Sequence, residues 1–222
     1  MSVFIPAGSG ILTTAWSAPA TTTLTMMCWG MIPVTTPSQS LWRDFVKAEP
    51  NFVPQTYSDG VTMDFGTANH DWNGQVLAIN TWYHITMVVI PSSTTAQQIL
   101  GYVNGELQVN ANNSETFNAY TGLSVGNTTS LGYTYALNGN VRDVRIWTRA
   151  LTATEVGQEM CSSMPVHDQG LLAWWPLDDD LYTDRSGNGH ILVASGSPAP
   201  ALQGGGPRGP RADYVGRSLT RF

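Results

Sequence analysis

Short apolar runs separated by turn residues recur along the whole chain. Leu24–Ile32 is an almost unbroken apolar stretch ending at Pro33, the pattern of a central strand covered on both faces. Leu41–Phe45 and Phe52–Tyr57 are shorter strand candidates set among Pro37, Pro50 and Pro54. Asp59-Gly60 turns into Val61–Phe65, where Val61, Met63 and Phe65 alternate with Thr62 and Asp64. Thr67–Asn80 reads as a polar loop. Trp82–Ile90, β-branched and aromatic, is the clearest strand; Pro91 closes it, and Ser92–Gln98 reads as a loop. Ile99–Val103 and Glu106–Val109 form a hairpin about Asn104-Gly105, residues that tolerate the positive φ of a type I′ turn. Leu123–Gly126 and Val141–Trp147 are further strands.

One helix is predicted, Ala153–Cys161. Thr152 and Glu155 make a capping box at its start, and it is too short to form without packing. Leu171–Leu177 and His190–Ala194 are strand-like. Residues 196–222, rich in Pro, Gly and Arg, read as an extended tail. Regularly spaced strands with one late helix specify an all-β, two-sheet antiparallel sandwich over residues 1–195.

Composition sharpens this picture. A length of 222 residues suits one large all-β domain. Charged residues are 12%, about half of what is usual, so Thr, Ser, Asn and Gly take their place. Eight Trp, eight Tyr and six Phe supply core material and argue against disorder. A net charge of -6 excludes nucleic acid as a partner of the body. The charge is uneven: Arg208, Arg211, Arg217 and Arg221 face the single acid Asp213 in the last fifteen residues. That tail reads either as a solvated end or as a docking arm, with Tyr214, Leu219 and Phe222 as apolar anchors. Met1–Pro6 lacks the basic and apolar regions of a secretory signal, and no run is long enough to cross a membrane. Cys28, in an apolar strand, reads as a small buried hydrophobe; a Cys28–Cys161 bridge is the less favoured alternative. Two glycosylation sequons, at Asn112 and Asn127, read as chance matches.

Several segments carry a family resemblance. Trp82-Tyr83-His84-Ile85-Thr86 followed by Tyr102-Val103-Asn104-Gly105-Glu106-Leu107 resembles the paired strands of laminin-G-like and pentraxin-like domains. Gly139–Trp147, then Arg149-Ala150-Leu151-Thr152 and Glu155-Val156, is similar to their closing strand and helix, and Leu24–Trp29 to their opening strand. These segments span about residues 20–160. Leu172–Leu177 with Asp184-Arg185-Ser186-Gly187-Asn188-Gly189 resembles a further signature that precedes the domain in many relatives and trails it here, over 171–195. That trailing order resembles laminin-G-like proteins of bacteriophages. The resemblance implies a concanavalin A-like jelly roll, whose relatives bind glycans, proteins or calcium or serve as structural modules.

Catalytic chemistry is poorly represented. No alternating triplet of acids places two carboxylates on one strand face, as a glycosidase on this fold requires, and Asp178-Asp179-Asp180 is consecutive. No nucleophile elbow is present, and His70, His84, His167 and His190 are scattered. Calcium is the one cofactor the residues suggest: Asp184, Ser186 and Asn188 resemble the start of a calcium loop, but Ser195 stands where its bidentate acid belongs. A tight turn held by side-chain hydrogen bonds is the preferred reading. Asn69, Asp71 and Asn73 form a weaker candidate, and Asp143 reads as a backbone crosslink. Trp72, Tyr120, Tyr133 and Tyr135 are candidate glycan or partner surface, because flat rings stack on sugar faces. Two non-enzymatic readings follow. The first is a virion module, made in a host cytoplasm, that docks on a capsid protein or another copy of itself. The alternative is a glycan-binding adhesion module.

Overall fold

The computed structural model describes residues 2–6, 10–32, 43–56, 61–66, 72–127, 136–178 and 183–196, and the backbone of 201–203. The strands begin with β1 (Ser2–Ile5), β2 (Ile11–Ala18), β3 (Leu24–Met31), β4 (Arg43–Asp44), β5 (Val46–Glu49), β6 (Val53–Thr56), β7 (Thr62–Gly66) and β8 (Asn73–Val76). They continue with β9 (Tyr83–Ser93), β10 (Ala96–Val103), β11 (Glu106–Asn113), β12 (Tyr120–Val125) and β13 (Gly139–Trp147). Helix α1 (Ala153–Met160) follows, then β14 (Leu171–Trp175), β15 (Val193–Ser195) and β16 (Ala201–Gln203).

The back sheet runs β11-β10-β9-β3-β13-β1-β16. Strand β14 also pairs with β13, so β1 and β14 share one edge of it: β1 takes Gly139–Val141 and β14 takes Val144–Trp147. The handover falls at Asp143, where the register with β3 shifts and φ is 51°. The front layer comprises β15-β2-β12-β5 and β4-β6-β7-β8, linked where Ala48 bridges Phe52. The two-sheet antiparallel architecture expected from the strand spacing is therefore present.

Alternation decides what each strand buries. Met26, Cys28, Ile85, Met87 and Ile99 of the back sheet meet Phe45, Val46, Ala48, Met63 and Phe65 of the front layer in the main core. Phe45 sits on Gly30 and Phe65 on Gly101, and an added Cβ at either glycine would collide with the ring. The opposite face of the back sheet offers Met27, Val88, Tyr102 and Trp147 to Leu151 and to Val156 of α1. Strand β3 is thereby covered on both faces. The helix starts on the expected capping box: Thr152 Oγ1 accepts from Glu155 N at 3.3 Å, and Glu155 Oε2 accepts from Thr152 N at 2.7 Å.

Four features depart from the sequence reading. Strand β9 continues through Pro91 to Ser93; β3 has already ended beside it, so the missing amide proton costs no ladder bond on that side. Strand β8 lies inside the stretch read as polar loop, paired with β7. Strands β1 and β2 carry no strong periodic signal, yet β1 is buried between β13 and β16. Residues 201–203, assigned to the tail, pair with Ser2–Phe4 and belong to the back sheet. Both cysteines are free, Cys28 buried and Cys161 exposed, so the alternative bridge is not formed. No helix among the described residues is long and apolar enough to cross a membrane.

Candidate functional site

The trailing signature folds as a latch. Asp184 Oδ1 accepts from Trp174 N at 3.0 Å and Ser186 N at 2.9 Å, and its Oδ2 accepts from His190 N at 2.9 Å. Ser186 Oγ donates to Leu172 O at 3.2 Å, while Asn188 Nδ2 donates to Leu171 O and Leu172 O at 2.8 and 3.0 Å. Burial alone would raise the Asp184 carboxyl, but the amide donors outweigh it and hold the carboxyl below its usual range. The three residues named as a calcium candidate thus tie a turn to β14. Addition of a chelator is expected to leave Tm unchanged, whereas Asp184→Ala is expected to cost about 1–3 kcal/mol by stranding the amides. A chelator-induced drop in Tm that calcium reverses would overturn this.

A second polar group locks the helix. Arg145, 1% exposed, donates from Nε and Nη2 to Asp143 at 2.8 and 2.6 Å and from Nη1 to Glu159 Oε2 at 2.6 Å. Glu159 Oε1 accepts from Val166 N and His167 N at 2.9 and 2.8 Å, and His167 Nδ1 lies 2.9 Å from it. Trp174 Nε1 donates to Asp143 Oδ1 at 3.0 Å. Asp143, read from the sequence as a backbone crosslink, instead joins two side chains, Arg145 and Trp174. Burial raises its carboxyl, and Arg145 and Trp174 offset part of that. His84 is buried against Trp29, its ring 5.3 Å away edge-on. Burial and the Arg145 charge push its imidazole down to about 3, so it is neutral at physiological pH.

The outer face of the front layer holds the third group. Register places Asp44 opposite Gln55, Gln55 opposite Asp64, and Asp64 opposite Asn73, in one row across β4, β6, β7 and β8. Phe45 and Phe65 point into the core, so their neighbours Asp44 and Asp64 point the other way. Likewise Val46 and Ala48 face the core, which turns Lys47 and Glu49 outward, and Lys47 stands opposite Ser124. Gln55 Nε2 donates to Asp64 Oδ2 at 2.9 Å. Ser124 Oγ lies 2.9 Å from both Glu49 Oε1 and the Asn127 carbonyl oxygen and gives its one proton to one of them. Lys47 Nζ is 3.8 Å from Glu49 Oε2. A polar outer face is ordinary; a buried one is not. Asp44, Asp64 and Ser124 are at most 1% exposed, and Glu49 and Gln55 no more than 6%. Burial, with the Glu49 charge adding and the Lys47 charge subtracting, pushes the Asp44 carboxyl up to about 7. Buried titratable groups with displaced pKa values cluster at functional sites.

The aromatic candidates fare differently. Tyr120 is 1% exposed, with its ring 5.3 Å from Trp16 and 6.3 Å from Phe52, so it is core and offers no stacking face. Its place in β12 beside β2 explains this: the side chain lies on the core side of the sheet. Trp72 is half-buried and packs on the main core. Tyr133, Tyr135 and the tail residues Arg208, Arg211, Tyr214, Arg217, Leu219, Arg221 and Phe222 lie outside the described residues, as do Asn69 and Asp71. Sequence reading did not single out the Asp44 row. Its one signal was the acid-beside-Phe alternation at 44–45 and 64–65.

Comparison with known proteins agrees with this architecture. The family described as the concanavalin A-like lectin/glucanases superfamily, laminin G type, matches residues 7–157. No curated protein sequence matches the chain. Among solved structures, a Bacteroides ovatus protein to which carbohydrate binding is ascribed shares 16% identity and a TM-score of 0.60, over 91% of this chain and 63% of that one. The chain thus spans less than two thirds of that protein. A heptameric SAP-like pentraxin from Limulus polyphemus shares 15% identity and a TM-score of 0.58, over 87% and 93% of the two chains. A Trypanosoma rangeli sialidase in complex with a difluorinated nononic acid shares 14% identity and a TM-score of 0.50, over 70% of this chain but 26% of the enzyme. With the two-layer sandwich, the capped helix on the back sheet and a family match over most of its length, the chain belongs to the laminin G-like branch of the concanavalin A-like lectin/glucanase superfamily.

Proposed function

We propose that this chain is a non-enzymatic glycan-binding module whose ligand sits on the outer face of the front layer. The observation that carries the reading is the buried row Asp44–Gln55–Asp64 with Glu49, Lys47 and Ser124 beside it. Carboxylates and amides accept and donate in planes that suit sugar hydroxyls. Such groups cost stability when withdrawn from water, so a core built for stability alone would omit them. Because they are buried, ligand entry is coupled to a local opening over this face. The carbohydrate binding ascribed to the Bacteroides relative supports the choice of ligand class. The competing virion reading rests on the basic tail and on the trailing order of the signature; neither the family nor the structural relatives adds to it.

The test is a glycan-array screen followed by titration of the best ligands. Gln55→Ala and Ser124→Ala are expected to weaken binding at least tenfold while the variants keep cooperative unfolding. A screen that finds no ligand, or a glycan bound equally by both variants, would remove the reading.

A further inference from the structure

We infer that the outer edge of β11 docks a second copy of this chain, the two β11 strands pairing antiparallel so that the back sheets continue into one another. Strand β11 ends the back sheet, and among the described residues no strand pairs with its outer side. Such an edge presents a row of backbone donors and acceptors, and proteins blunt it with short strands, lysine, proline or bulges. Strands β15, β16 and β8, outermost elsewhere, have only three, three and four residues. Strand β11 has eight, with neither lysine nor proline among them. Its one bulge lies near its start, where the register with β10 breaks between Gly101 and Tyr102, and Val109–Asn113 then runs in unbroken register with Gln97–Gly101. Val109 and Ala111 turn to the core, so Asn110 and Asn112 point to the solvent side, and both are exposed. Pairing about Ala111 sets Asn110 opposite the partner's Asn112, and the reverse, as a two-fold axis requires. Asn110 Oδ1 accepts from Gln98 Nε2 at 3.0 Å, so its Nδ2 is the group that donates across the pair. The stretch Val109–Asn113 holds no charged side chain, so a copy of a chain of net charge -6 meets no like charge there. Leu107 of β11 is 50% exposed and Val76 of β8 66%. Both lie at this edge, where Gly74 of β8 sits against Gln108 of β11, and a second copy withdraws them from water. The two-fold axis of an antiparallel pair stands perpendicular to the sheet, so both front layers face one way. On the glycan-binding reading the dimer then presents two sites to one surface.

The experiment is sedimentation equilibrium of the full chain across the micromolar range, which is expected to show monomer and dimer. Asn110→Lys with Asn112→Lys sets charges on the edge and is expected to weaken the dimer at least tenfold, with thermal unfolding still cooperative. The two lysines lower the net negative charge, so overall repulsion cannot account for that loss. Thr154→Lys, on the exposed side of α1, should leave the dimer unchanged. Ala111→Cys in a Cys161→Ser background is expected to form an intermolecular disulfide with oxidised glutathione, because the pairing sets the two side chains opposite each other. A dimer that survives the two lysines, or one that Ala111→Cys does not cross-link, overturns the inference. A chain that stays monomeric throughout leaves the edge to a foreign strand or to solvent and overturns it as well. Glycan binding is tested separately by Gln55→Ala and Ser124→Ala, so either reading can fail without the other.

Discussion

Replacing Glu159 with alanine is expected to destabilise the fold by about 3–5 kcal/mol, the range for breaking one partner out of a buried ion pair. Arg145 would stay buried with one carboxylate where it had two, at 1% exposure, beside the now empty Glu159 position. The amides of Val166 and His167 would lose their acceptor in the same step. Asp143 cannot compensate, because both its oxygens are already engaged by Arg145. At roughly 2–4 °C per kcal/mol for a chain of this size, Tm should fall by about 10 °C. Glu155→Ala is the contrast. That carboxylate caps the helix and meets Arg149 at 2.9 Å, but both groups are more than a fifth exposed, so the loss should stay near 1 kcal/mol. Denaturant melts of the two variants side by side decide the matter. A Glu159→Ala loss no larger than that of Glu155→Ala would mean that Arg145 is solvated or reorganises.

The second large effect is pH-dependent and sits at Asp44. Its folded pKa, about 7, stands above the ordinary value of 3.8. Between those values the native state holds a proton that the unfolded chain has released, so stability falls as pH rises. The contribution is fully present below pH 4 and lost by the time pH passes 7. Moving the carboxyl from 3.8 to about 7 corresponds to an upper bound on the order of 4 kcal/mol. Asp44→Asn keeps the shape and removes the charge. The variant should match the parent near pH 4 and exceed it by a few kcal/mol at pH 8. Subtracting the two stability curves cancels the titrating groups that Asp44 does not touch, including Asp184, whose lowered carboxyl acts in the opposite sense. A flat difference from pH 4 to 8 would show that Asp44 ionises freely in the folded protein.

These two sites hold buried charge for different reasons. On the back, Arg145 gathers Asp143 of its own strand, Glu159 and the carbonyls of Ser162 and Met164, and the last three contacts tie α1 and the chain beyond it to the sheet. That group fixes structure. On the front, Asp44 retains an oxygen with no donor and repels its neighbour Glu49.

Much of this was legible in the sequence. Period-two alternation places Met63 and Phe65 on one face and Asp64 on the other, whatever the strand pairs with. Asn104-Gly105 forces its hairpin through two positive φ angles, 51° and 76°, that few other pairs adopt. The Thr152 and Glu155 capping box starts a helix because both groups lie within one turn. Local chemistry suffices in each case. What tertiary structure decided depends on partners far away along the chain. Strand β1 becomes a strand by pairing with β13 and with β16, and β16 by pairing with β1, from opposite ends of the chain; neither segment carries a periodic signal for it. Tyr120 looks like surface among polar neighbours, and is core because β2 and Phe52 close over it. Asp44 and Asp64 are assigned an outward face by alternation alone. That this face is also buried, which raises the Asp44 carboxyl, is decided only in the tertiary structure, because alternation fixes which way a side chain points and not what lies over it.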